Sequence, residues 1–150
     1  MQAAALVLVM TLAPADASPQ PDATRPQEAA IDDRGDLQGR WEEIAVWTGG
    51  RKASEEDIKE VEWTFRGDKV FYRRGATSVF LGDGRFRLEY SKDPPEIDFE
   101  DDGQPAERGV FRIRGDCLEI TLTREGDRPA GFSPEQPQGT GLAVFRRVKK

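Results

Sequence analysis

The chain has 150 residues, with 22 Lys and Arg against 28 Asp and Glu and a net charge of −6. That length suits one domain with an extension, and the acidic balance speaks against a nucleic-acid partner. Histidine is absent and cysteine occurs once, at Cys117; this excludes Ser-His-Asp and Cys-His nucleophile systems, imidazole zinc sites, thiolate metal clusters and an internal disulfide.

The opening stretch, MQAAALVLVMTLAPADAS, is apolar to Leu12 and then reads Ala15-Asp16-Ala17 before Ser18. An apolar run followed by A-x-A has the form of a secretory signal, here expected over residues 1–17. No Lys or Arg precedes the run, a departure from the usual positive start. The run is also shorter than the roughly 20 apolar residues that span a bilayer. The mature chain is therefore expected to carry no transmembrane span and to be extracytoplasmic, either periplasmic or secreted. Residues 18–36, SPQPDATRPQEAAIDDRGD, hold three prolines and almost no large apolar side chains. They read as a disordered Pro-rich linker.

From Leu37 the pattern becomes alternation. VEWTFR sets Val61, Trp63 and Phe65 against Glu62, Thr64 and Arg66. RFRLEY does the same with Phe86, Leu88 and Tyr90, EIDFE with Ile97 and Phe99, and GVFRIRG with Phe111 and Ile113. CLEITLT sets Leu118, Ile120 and Leu122 against Cys117, Glu119, Thr121 and Thr123. One oily and one charged face at period two means half-buried antiparallel strands. KVFYRR, TSVFLG and GLAVFRRV are also strand-like. The first strand, GRWEEIAVWT, is the least regular: Trp41, Glu43, Ala45 and Trp47 share one face and Ile44 and Val46 the other, unless a bulge intervenes.

Gly67-Asp68 and Gly115-Asp116 suit two-residue hairpins with Gly first, and Gly82-Asp83-Gly84 and Asp102-Gly103 predict two more reversals. SEEDIKEV predicts a helix of about two turns, capped by Ser54, with Glu55, Glu56 and Asp57 in its first turn. A long loop with three prolines, EGDRPAGFSPEQPQGTG, precedes the last strand. The whole describes an all-β domain over 37–150: a small antiparallel up-and-down barrel of about eight strands with one short helix.

The stretch LQGRWEEIAVWTGGRKASEEDIKEVEWTFRGDKV resembles the opening of a family of small lipocalin-like domains of unknown function, abundant in planctomycete bacteria. The likeness continues through DPPEIDF, GVFRIRGDCLEITLT, RPAGFS and LAVFRRVKK. It covers about Leu37 to Val148; each motif is weak alone, and their order carries the likeness. Cys117 departs from the plain polar residue expected at its position. The resemblance implies a lipocalin-like barrel closed at one end by Gly39, Trp41 and Arg147, the arginine lying over the indole, with Arg146 as second choice for that role. A guanidinium over an indole face is attractive by about 0.5–2 kcal/mol.

Arg-Gly-Asp occurs three times, at Arg34, Arg66 and Arg114, and two copies sit where hairpins require Gly-Asp. Asp98 to Gly103, DFEDDG, matches the start of a calcium loop, but Gly109 stands where a bidentate acid belongs, so no metal site is expected. The carboxylates fall on outward faces and turns, Glu43 excepted, and no catalytic residue and no cofactor is assigned. An eight-stranded barrel is just wide enough to be filled by its own side chains or to hold one small ligand. Trp63, Phe65, Phe86, Leu88, Tyr90, Phe99, Phe111 and Ile113 are the candidate lining. Two non-enzymatic functions fit such a barrel: binding a small apolar molecule inside it, or docking a protein partner as an envelope-associated module with a packed core.

Overall fold

The computed structural model describes residues 36–149, with the backbone alone over 77–83. The expected signal, 1–17, and all of the expected linker except Asp36 lie outside the described residues. Among the described residues nine strands occur in chain order: β1 (Gly39–Thr48), β2 (Arg51–Lys52), β3 (Val61–Arg66), β4 (Lys69–Arg74), β5 (Thr77–Glu89), β6 (Glu96–Asp101), β7 (Gln104–Arg114), β8 (Cys117–Thr123) and β9 (Thr140–Arg147). A single helical turn, α1 (Glu55–Ile58), lies between β2 and β3. Every strand pairing among the described residues is antiparallel. β2 pairs with the end of β1, and the other eight strands run in sequence order and close when β9 pairs with β1. The result is an all-β, up-and-down, eight-stranded barrel of the lipocalin-like kind. Closure pairs the first and last strands without a partner chain.

The register agrees with the alternation. Trp41 stands opposite Trp63, Phe86 opposite Phe99, Phe111 opposite Ile120 and Leu118 opposite Phe145. Burying these inward side chains at about 25 cal/mol per Å² of apolar surface is the main drive to close the sheet. Hairpin chemistry sets the tight ends. Gly67 and Gly115 take φ of 61° and 60° at the first turn position, and Asp102-Gly103 places both residues at positive φ.

Two local expectations are corrected, and the bulge allowed for in the first strand is found. Gly82-Asp83-Gly84 is no reversal: TSVFLG and RFRLEY form one strand, β5, whose register against β4 slips so that Phe71 opposes Phe80 and Lys69 opposes Arg85. The glycines serve a bulge rather than a turn. The helix is one turn, not two. Ser54 and Asp57 form a reciprocal cap, but Glu60 at φ 61° ends the turn and delivers Val61 into β3. In β1 a bulge between Glu43 and Ala45 switches the faces of the residues beyond it. Trp41 and Glu43 therefore point inward with Val46 and Thr48, while Trp47, paired with outward Leu142, points out.

The loop from Arg124 to Gly139 folds over the outer face of β6 and β7. Arg128 Nη1 donates to Gly109 O at 2.8 Å and pairs with Asp98 at 2.7 Å. Phe132 lies under the Arg112 guanidinium, 4.3 Å from ring centroid to Cζ. Beneath the loop the outward Val110 and Thr121 are buried.

Candidate functional site

The two ends of the barrel differ. At the closed end Trp41 is fully buried and its Nε1–H donates to Leu37 O at 2.8 Å. The Arg147 guanidinium lies 4.0 Å from the Trp41 ring centroid. Its Nη1 donates to Gln38 O at 2.9 Å and its Nη2 to Asp36 O at 2.6 Å. Two carbonyls and a ring face thus fix one cation. Gly39 has φ +117°, and a Cβ there would lie 3.4 Å from Arg147 Nη1, so the chain turns inward only with glycine. Arg146 points away and pairs with Glu42 at 2.9 Å.

Above this floor the interior is filled. Phe65, Phe86, Phe99, Phe111 and Ile113 are buried in the core cluster, with Leu88 packed against it. Phe65 and Phe86 meet edge-on at 5.2 Å. Tyr90 lies past the end of β5, is 37% exposed, and sets its ring against Phe111 at 5.8 Å. Trp63 tops this stack, 5.0 Å from Phe145 and 5.8 Å from Phe99. Of the eight candidate lining residues, Trp63 alone borders open space inside the barrel; the other seven pack the lower core or its edge.

That open space is a cavity of about 340 Å³ at the mouth, the end away from Trp41. It is near the lower bound of small-molecule sites, about 300–1,000 Å³. Its walls include Val46, Ile120, Leu122 and Ala143, with Glu43 and Glu107 as the acids. The space exists because inward positions of β9 carry Gly141 and Ala143, while the next one down is Phe145. Small inward residues in GLAVF were the sequence signal for this volume. The other missed residues are Val46, Thr48 and Glu107; the first two are revealed only by the bulge in β1, the third by the extension of β7 back to Gln104.

The polar residues of the wall are Glu43, Thr48, Thr123 and the paired Glu107 and Arg124, besides the indole of Trp63. Trp63 is 7% exposed and its Nε1–H, wholly buried, has no hydrogen-bond partner. Leaving such a donor unpaired costs about 1–3 kcal/mol. Glu43 faces in because it pairs with Phe145. Burial pushes its carboxyl up to about 7, and the nearby Arg74 guanidinium opposes that rise. At the rim Glu107 is already held by Arg124 at 2.6 Å. The mouth therefore presents largely apolar walls, two threonines, the Glu107–Arg124 pair and one further carboxyl, Glu43, that donates when protonated.

The remaining candidates offer less. Depressions of about 420, 660 and 310 Å³ lie on the outer wall. The first is bounded by Glu62, which is already bridged to Arg40 and Arg73. In the acidic turn Asp98 is engaged by Arg128 and Glu100 by Arg87. Among the described residues no group of three or more His, Cys, Asp or Glu is placed to hold a metal ion. Two of the Arg-Gly-Asp copies are the β3–β4 and β7–β8 turns; Arg34 and Gly35 of the third lie outside the described residues. Burial and neighbouring Glu119 raise the Cys117 thiol, the opposite of an activated nucleophile.

Among the described residues no helix is long and apolar enough to cross a membrane. Comparison of the chain with protein-family models, with curated proteins and with solved structures returns no match.

Proposed function

We propose that this protein is an exported, non-catalytic carrier that holds a small, largely apolar molecule in the mouth of its barrel. The observation that carries the reading is the cavity of about 340 Å³ at the barrel mouth, walled by Val46, Trp63, Ile120, Leu122 and Ala143. A concave, mostly apolar space of this size suits a small, largely apolar molecule. The filled lower core supports it too. It gives the site a rigid base, so little ordering has to accompany binding. Export rests on the apolar run and Ala15-Asp16-Ala17 of the sequence. Kinship with the lipocalin-like family rests on the order of the sequence motifs, and the Arg147–Trp41 floor is in keeping with it.

The test is binding of the fluorescent, uncharged probe N-phenyl-1-naphthylamine. Wild-type protein is expected to enhance its emission and Ala143→Trp, which fills the mouth, to abolish the enhancement. Equal enhancement by both proteins would place the apolar surface elsewhere and sink the reading.

A further inference from the structure

The carrier reading leaves the head group of the bound molecule open, and the mouth specifies it. We propose that the site selects an uncharged apolar molecule bearing a hydrogen-bond-accepting oxygen, as in a ketone, ester or lactone, and raises the proton occupancy of Glu43 as it binds. This rests on the carrier reading and adds charge and proton linkage to it.

Glu43 stands on the cavity wall and donates when protonated, so it selects an acceptor. Glu43 shares the wall with Thr48, Thr123 and the paired Glu107 and Arg124. The groups around it are few. Phe145 on β9, Val61 and Trp63 on β3, and Ile120 and Leu122 on β8 carry no charge. β4 brings Tyr72 and Arg74, and the charge of Arg74 also bears on Asp57 of α1. Glu55 and Glu56 of α1 are exposed. β7 brings Glu107, whose charge Arg124 holds. Among the described residues Glu43 is in no ion pair, so its ionised form depends on water in the mouth.

An uncharged ligand expels that water. Expulsion disfavours the carboxylate and leaves the acid, which also donates to an acceptor oxygen. Binding therefore raises the proton affinity of Glu43, and by linkage lower pH strengthens binding. The carboxyl starts from about 7, so the coupling falls within the physiological range.

The experiment is titration calorimetry of the protein with heptyl methyl ketone, nonylamine and nonanoate at about pH 5.5 and about pH 8.5, in buffers of different ionisation heat. The ketone is expected to bind roughly tenfold more tightly at the lower pH, matching a roughly tenfold rise in the proton affinity of Glu43 on binding. The heats are expected to report proton uptake near neutrality. Glu43→Gln is expected to bind the ketone with an affinity that no longer depends on pH, while the wild-type proton uptake tests the idea without relying on that variant. Ketone binding that ignores pH in the wild type would overturn the proton linkage and leave the carrier reading standing. Preference for nonylamine, or for nonanoate at the higher pH, would overturn the choice of an uncharged head. Failure of all three to bind would overturn both the inference and the carrier reading.

Discussion

Arg147 sits directly across the β1–β9 pairing from Trp41 and lays its guanidinium 4.0 Å from the centre of that ring. The contact joins the two ends of the domain sequence, and Arg147 also binds the carbonyls of Asp36 and Gln38. Trp41→Ala is expected to cost about 3–5 kcal/mol, since the ring is fully buried. Arg147→Met is expected to cost about 1–2 kcal/mol. A double-mutant cycle with Trp41→Leu, read by urea unfolding, is expected to give a coupling of about 1 kcal/mol. Additive losses would mean the ring and the guanidinium act independently.

Glu43 makes stability depend on pH. Its folded value is raised to about 7 from an ordinary 4.5. The folded state thus holds the proton more tightly than the unfolded chain. The stabilisation is complete below about 4.5 and is lost as pH rises through about 7. Glu43→Gln removes that loss. It is expected to leave Tm nearly unchanged at about pH 4.5 and to raise it near pH 8 by a margin on the order of 2 kcal/mol, or roughly 10 °C. The same Tm difference at both pH values would show that the carboxyl is not desolvated.

Gly109 faces inward on β7 against β8. A Cβ there would stand 2.1 Å from Thr121 O and 2.7 Å from Leu122 Cδ2. Backbone cannot yield as a side chain does, so Gly109→Ala is expected to cost about 2–4 kcal/mol. Gly131, with nothing within 4 Å of the added carbon, provides the control. Gly131→Ala is expected to stay within about 0.5 kcal/mol of wild type. Equal effects at the two positions in denaturant unfolding would contradict this reading of the β7–β8 contact.

Arg128 ties the 124–139 loop to the barrel wall. Removing it frees Gly109 O and leaves Asp98 and Glu96 without the cation they share. Arg128→Ala is expected to cost about 1–3 kcal/mol. Amide hydrogen exchange is expected to speed up through the loop while β8 stays protected. Uniform acceleration across the barrel would show that the loop is part of the global fold rather than a strap on it.

The strands were legible because each oily face alternates with a charged one, as at Trp63 and Phe65 or Leu118 and Ile120. Gly67 and Gly115 announced their hairpins through the same chemistry that places them at positive φ. The bulges were less legible, since an inserted residue leaves composition unchanged and shifts parity. Gly82-Asp83-Gly84 carries turn residues and sits within β5. In β1 the bulge decides that Val46 lines the mouth and Trp47 does not. Large aromatics drew the candidate lining toward positions that fill the barrel. The cavity is marked instead by small residues, Gly141 and Ala143, and an absence of side chain is a faint signal in a single sequence.

The most direct measurement uses the three tryptophans as separate reporters. In a proton–nitrogen correlation spectrum, the indole N–H signal of Trp63, whose ring lines the mouth, is expected to shift as heptyl methyl ketone is added. The signal of Trp41, already bonded to Leu37 O, and that of outward Trp47 are expected to hold their positions. A Trp63 signal that stays still while ketone saturates the protein, or a shift confined to Trp47, would contradict a binding site in the mouth of the barrel.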